Sequence, residues 1–276
     1  MISFIPSDGC LDLYQTLDCG QAFRWHEVVL PDGREVWRGM AQGHTLTLWQ
    51  DHDTIFMDCS EEEFNSIWRG YFDLDTDYSL MRSKLSALHP VLTEACRYAP
   101  GIRILRQDPW EALCSFIISQ NNNITRIKGI VERLCALSGR SIVCGEDTLY
   151  DFPTVEQLAA CTLEDLAPLR AGFRAKYLLD AAQRVQSGEI DLSSMYTAPL
   201  DEAREQLMTI CGVGPKVADC VLLYGFHRMD SFPIDVWMKR AMQLMPTVSP
   251  SDFGDAAGIA QQYLFHYSRM HPELFT

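Results

Sequence analysis

The stretch best suited to chemistry is Ile210-Cys211-Gly212-Val213-Gly214-Pro215-Lys216-Val217-Ala218-Asp219-Cys220. Leu200, Ala203, Leu207 and Ile210 lead into it with helical spacing. Gly212 and Gly214 break that helix and allow a tight reversal with positive φ and exposed backbone. Pro215 suits a first helical position, and the apolar run Val217 to Phe226 continues as a second helix. The unpaired amides at its start make an anion site, for which phosphate is the natural occupant. Lys216 stands in that first turn, where the helix dipole and any closed pocket disfavour the ammonium form. A neutral amine there is available as a nucleophile. Asp235 opens a further helix behind Phe232-Pro233-Ile234. A plain N-terminal helix acid and a carboxylate that stabilises positive charge in a site are compatible readings of it.

Gly212-Val213-Gly214-Pro215-Lys216-Val217-Ala218-Asp219-Cys220, followed by Phe232-Pro233-Ile234-Asp235-Val236, resembles the helix-hairpin-helix DNA glycosylases. Within that superfamily it most resembles the 8-oxoguanine DNA glycosylase/lyases. Glycine hairpins occur in many non-catalytic DNA-binding modules; the lysine directly after the hairpin and the aspartate in register are the specific part. The resemblance implies excision of 8-oxoguanine opposite cytosine from double-stranded DNA by base flipping. Lys216 would attack C1′ to give a Schiff base, with β-elimination of the strand to follow, and Asp235 would stabilise positive character at the sugar.

The same resemblance assigns further residues. In Asp18-Cys19-Gly20-Gln21-Ala22-Phe23-Arg24-Trp25 the Gly20 carbonyl would accept the N7 proton that oxidised guanine has and guanine lacks. Glycine permits that close approach. Gln261 would read the Watson–Crick edge, with Phe265 and Cys220 on the two faces of the base; Gln261 and Phe265 are four apart, on one helix face. Asn121, first of three asparagines, would fill the vacated space. Arg126 and Arg174 would hold the orphaned cytosine, and Phe173 would wedge the stack. The backbone of Gly212, Val213 and Gly214 would bind a DNA phosphate, and carbonyls of Met208, Ile210 and Val213 a monovalent cation, Na+ or K+. The chemistry needs no cofactor. Taken without the resemblance, the asparagines are a polar loop, Phe173 a packed aromatic, Arg174 a solvated charge and Phe265 core.

Two departures stand out. Trp237 occupies the position of a phosphate-contacting histidine in relatives with a eukaryotic-type sequence, and Cys211 replaces a common hairpin proline. Two competing functions also fit parts of the chain. An alkylated-base glycosylase without lyase activity works with aspartate alone, and Lys216 tells against it. A non-catalytic hairpin DNA-binding module is the other, and Asp235, Gln261 and Phe265 in register tell against that.

The elements that must position these residues suggest an α+β fold. Residues 1–100 read as an antiparallel β-rich domain, with strands around Val36-Trp37, His44 to Trp49 and Thr54 to Met57. Helices take over from Ser60, whose pairing with Glu63 is a capping box. Asp73, Asp75 and Asp77 lack the later positions of a calcium loop and read as a solvated acidic loop. Residues 101–276 read as an all-helical helix-hairpin-helix body. Asp108-Pro109-Trp110-Glu111 is a strong helix start, and Thr154 with Gln157 and Thr162 with Asp165 are further starts.

With 276 residues, 47% apolar and 22% charged, the chain can bury a substantial core. There is no signal-like start and no apolar run of about 18 residues. The expectation is an intracellular monomer, in the cytoplasm or nucleoid of a prokaryote or the nucleus of a eukaryote, with no membrane partner. Ten scattered cysteines without a CxxC pair suit a reduced compartment, and none follows Cys220, which disfavours an iron–sulfur cluster. The net charge of −14 opposes DNA binding at first sight. Residues 1–100 hold 7 basic and 16 acidic residues, whereas residues 101–187 hold 10 of each. The local field at a contact face decides binding, not the total.

Overall fold

The computed structural model describes residues 1–144 and 147–275. Five antiparallel strands form the N-terminal sheet: β1 (Ile2–Phe4), β2 (Trp25–Val29), β3 (Glu35–Ala41), β4 (His44–Asp51) and β5 (Thr54–Met57). Their order is β1-β5-β4-β3-β2. β2 to β5 thus form the expected meander, and β1 adds to the β5 edge. Alternation along β4, with Leu46 and Leu48 buried between half-exposed neighbours, turns one face to a core. Trp68, Tyr71 and Phe72 pack there against Trp25, whose indole N–H donates to the Tyr71 hydroxyl at 2.9 Å. These rings come from a helical segment opened by the Ser60–Glu63 capping box. The segment widens into a π-helical turn at Phe64–Trp68.

The second core is helical. Helices Pro109–Ser119 and Pro215–Phe226 lie against one another at its centre, both apolar nearly all round. Packing does not follow the change of composition near residue 100. Helices Tyr78–Ser86 and Pro90–Tyr98 pack into this second core, as do Cys10, Cys19 and Phe23 from the N-terminal segment. The two parts are therefore keyed together, and Cys19-Gly20-Gln21 lies in the seam. Gln21 is wholly buried; its amide donates to the carbonyls of Thr16 and Arg103 at 2.9 and 2.7 Å and accepts from the Leu105 amide at 2.9 Å.

Three features depart from the sequence expectation. Asp73, read as part of a solvated acidic loop, is buried and bonded to Arg106 and Tyr78. The helical body carries a two-stranded ladder, β6 (Ser141–Cys144) with β7 (Asp147–Tyr150). Thr162 and Asp165 make both reciprocal capping bonds but start only a turn and the 3-10 helix Ala167–Leu169. Pro168 has no amide with which to continue an α-helix.

Candidate active site

A cleft of about 730 Å3 opens between the seam loop and the helices. Gly20, Asn121, Arg126, Lys216, Asp235 and Phe265 all line it. They come from five separate stretches of chain, so only the tertiary fold brings them together.

The candidate catalytic pair, Lys216 and Asp235, is set by two helix starts. Helix Leu200–Met208 ends, the chain reverses at Gly212 (φ 78°), and Gly214 caps helix Pro215–Phe226. Only Gly212 takes the positive φ; Gly214 is extended (φ −101°, ψ 178°) and open space lies around it. A Cβ on Gly212 would stand 2.3 Å from the Tyr177 ring, so the hairpin seats on helix Arg174–Gln186. Lys216, in the first turn, points its ammonium over the Phe116 ring at 5.7 Å. Cys220 lies one turn on, buried, with the Lys216 ammonium close enough to act on its thiol. Burial pushes that thiol's pKa up, and the adjacent lysine only partly opposes it. Asp235 caps helix Val236–Leu244, its Oδ1 accepting the Met238 amide at 2.9 Å. The second carboxylate oxygen is left for whatever enters the cleft.

The side of the cleft expected to take the base is equally built. Gly20 has φ 89° and its would-be Cβ lies 3.5 Å from the Phe265 ring. Its neighbours are pinned, Cys19 by the Gln262 side chain, which donates to its carbonyl at 3.2 Å, and Gln21 by the bonds above. Gln261, one turn before Phe265 on helix Ala257–Met270, is buried outside the cleft lining, and its Oε1 accepts from the Tyr224 hydroxyl at 3.2 Å. Asn121 adopts φ 49°, and Asn123 caps helix Ile124–Ser138 through the Arg126 amide at 2.9 Å. Arg126 is exposed at the mouth. Three cations, Arg126, Lys216 and Arg269, line the cleft against one carboxylate, Asp235, despite the acidic total.

The chain is similar to known DNA repair proteins. The family model for the 8-oxoguanine DNA glycosylase N-terminal domain matches residues 3–113, and that for the HhH-GPD superfamily of base excision DNA repair proteins matches residues 114–252. The chain belongs to the 8-oxoguanine DNA glycosylase/lyase family. An N-glycosylase/DNA lyase of Saccharomyces cerevisiae is 34% identical to it over 83% of this chain and 67% of the relative. An N-glycosylase/DNA lyase of Arabidopsis thaliana is 30% identical over 92% and 76%. The solved Clostridium acetobutylicum 8-oxoguanine glycosylase/lyase, in complex with double-stranded DNA containing cytosine opposite 8-oxoG, superposes with a TM-score of 0.86 at 37% identity, covering 95% of this chain and 93% of that one.

Two expected site features of this glycosylase differ in the structure. Arg174 does not reach the cleft. It is buried, and its guanidinium donates to the carbonyls of Gln120 at 2.8 Å, Asn121 at 3.1 Å and Ala171 at 3.1 Å. The reason is that helix Pro109–Ser119 ends there with unsatisfied carbonyls. Phe173 is half exposed outside the cleft lining, with the Arg174 guanidinium carbon 4.4 Å from its ring centroid, a placement that does not oppose a wedge in the DNA stack. The Val213 amide is spent on the Ile210 carbonyl at 3.0 Å, so it is not a phosphate donor; the amides of Gly212 and Gly214 have no acceptor among the described residues. The sequence reading also missed anchors. Gln21 and Gln262 hold Gly20 in place, and Arg269 lines the cleft. The period of four that joins Gln261 to Phe265 extends to Arg269, and was the available signal.

Proposed function

We propose that this enzyme excises 8-oxoguanine opposite cytosine from double-stranded DNA and then nicks the strand, with Lys216 as the nucleophile. The observation that carries the reading is that Lys216 and Asp235, from two different helix starts, line one cleft with Gly20 and Phe265. The lesion base would be flipped into that cleft, Asn121 filling its place and Arg126 holding the cytosine. Phe265 and Cys220 would flank the base, Gln261 would read its Watson–Crick edge, and the Gly20 carbonyl would accept the N7 proton. The Lys216 ammonium gives a proton to the departing base, and the amine so formed attacks C1′ as the glycosidic bond breaks; the base leaves with the electron pair. Asp235 stabilises the positive charge that grows at the sugar. The sugar ring opens, O4′ taking a proton as C1′ becomes doubly bonded to Nζ. Loss of a C2′ proton then expels the 3′ phosphate, and water releases the lysine.

The hairpin supports the strand. Gly212, Gly214 and the first-turn amides of Lys216 and Val217 offer donors to one phosphate. The carbonyls of Met208, Ile210 and Val213 suit a monovalent cation, since they stand at and beyond the C-terminal end of helix Leu200–Met208. Such an ion would stiffen the hairpin and offset phosphate charge; it takes no part in bond breaking. Action as a monomer belongs to the same proposal.

Borohydride trapping tests the reading on a duplex with one 8-oxoguanine·C pair, beside an undamaged G·C duplex and Lys216→Gln. A covalent adduct formed only by the unsubstituted enzyme on the lesion is expected. Base release that needs Asp235 but gives no adduct would mean a glycosylase without lyase activity. Lesion binding with neither adduct nor release would leave a binding module.

A further inference from the structure

Arg269 stands in the last turn of helix Ala257–Met270, where a cation suits the helix C-terminus. Its guanidinium nevertheless turns inward. The guanidinium carbon lies 5.5 Å from the Phe265 ring centroid, and Nη1 lies 3.7 Å from the point a Cβ would take on Gly20. It receives no hydrogen-bond acceptor among the described residues, in a chain with 37 acidic residues. Gln261, Phe265 and Arg269 follow one another at intervals of four, along one helix face.

We propose that Arg269 donates to O8 of the flipped base, beside the Gly20 carbonyl, and so helps to read the lesion. The proposal rests on the excision reading above. 8-Oxoguanine presents a donor, N7–H, next to an acceptor, O8. Guanine presents an acceptor, N7, next to a C8–H. A carbonyl with a guanidinium beside it complements the first pattern and clashes with the second. Arginine suits the place, because a planar guanidinium can pack on an aromatic ring and keep its N–H donors directed outward. With guanine bound, both groups would be left without partners in a closed site, and such unpaired groups discriminate more strongly than an added apolar contact.

The test is single-turnover base release from 8-oxoguanine·C and 8-thioguanine·C duplexes. 8-Thioguanine keeps N7–H but carries sulfur, a poor acceptor, in place of O8. Arg269→Met is expected to slow release of the oxo base about 10- to 100-fold, the range of a charged hydrogen bond, and of the thio base less than about 2-fold. The preference for the oxo base then collapses. Arg269→Gln, which keeps N–H donors without the charge, is expected to restore part of it. An equal loss on both lesions with a shallower salt dependence would make Arg269 a phosphate contact and overturn the proposal, as would an unchanged preference in both variants. Release of neither base by the unsubstituted enzyme would overturn the excision reading itself, a separate result.

Discussion

At the scale of single residues, Asp235 has two tasks that can be separated. One oxygen caps helix Val236–Leu244 through the Met238 amide, and the other faces the cleft. Asparagine caps helices as well as aspartate but carries no charge. Asp235→Asn is therefore expected to keep stability within about 0.5 kcal/mol of the parent, measured by urea unfolding. Single-turnover release of 8-oxoguanine should fall by about 100- to 1,000-fold, the usual cost of losing one electrostatic contact to a transition state. A large loss of stability with little loss of rate would reduce Asp235 to a cap. Cys211 shows a different exchange. Its amide donates to the Asp180 carboxylate at 2.7 Å, a bond that the proline common at this position in relatives has no amide to make.

At the scale of elements, helix Pro215–Phe226 is fixed at both ends. Its start is the hairpin seated on Tyr177. Its end is His227, in the left-handed region (φ 53°), whose Nε2 lies 3.3 Å from Asp73 Oδ2. Asp73 is buried and also accepts from Arg106 at 2.7 Å and from the Tyr78 hydroxyl at 2.9 Å. Burial by itself would raise its carboxyl pKa, but His227 and then Arg106 hold it below the ordinary 3.8. A group depressed in the folded state stabilises the fold above its unfolded value and loses that contribution as pH falls through the folded one. Asp73→Asn is expected to cost about 3 kcal/mol near neutral pH, because it strips the charge from a buried network. It should also flatten part of the decline in stability below about pH 4. Thermal unfolding from pH 7 down to pH 3 checks both; parallel curves for parent and variant would contradict the linkage.

At the scale of the whole molecule, charge is divided. The acidic excess lies mainly in residues 1–100, whereas the cleft presents Arg126, Lys216 and Arg269. Exposed charges outside the site act on encounter and are screened by salt, while charges in the cleft act on the bound complex. Glu61→Gln with Glu62→Gln removes two exposed acids away from the cleft. The double variant is expected to bind lesion DNA about 2-fold faster at low ionic strength, with the difference gone near 0.5 M salt. The rate of base release once bound should not change. Stopped-flow binding alongside single-turnover release separates the two, and a changed release rate would show that the N-terminal field reaches the chemistry. No helix among the described residues is long and apolar enough to cross a membrane.

Local rules were enough for much of the design. The Ser60–Glu63 and Thr154–Gln157 capping boxes, the Asp108 start, the sheet meander and the glycine hairpin all follow from residues close in sequence, because a cap or turn is decided by its own few neighbours. The same holds for Lys216 at a helix start and for Gln261 and Phe265 on one face. Two departures were local as well, and the rest depends on partners far along the chain. β6 and β7 pair as a short antiparallel ladder within a body expected to be all-helical, although Ile142, Val143, Thr148 and Tyr150 are strand formers. Thr162 and Asp165 make their cap without an α-helix, because the chain soon meets Pro168. Arg174 turns inward because a helix end 54 residues earlier leaves carbonyls in want of donors. Gly20 becomes a fixed acceptor only when Gln262, 243 residues from Cys19, and Arg103, 82 residues from Gln21, close on either side of it. The sequence by itself determined the family and pointed to Lys216 and Asp235 as the candidate reacting pair; the fold decided which amides, carbonyls and guanidinium groups remain free to meet a substrate, since a buried polar group is claimed by whichever partner packing brings within hydrogen-bond reach.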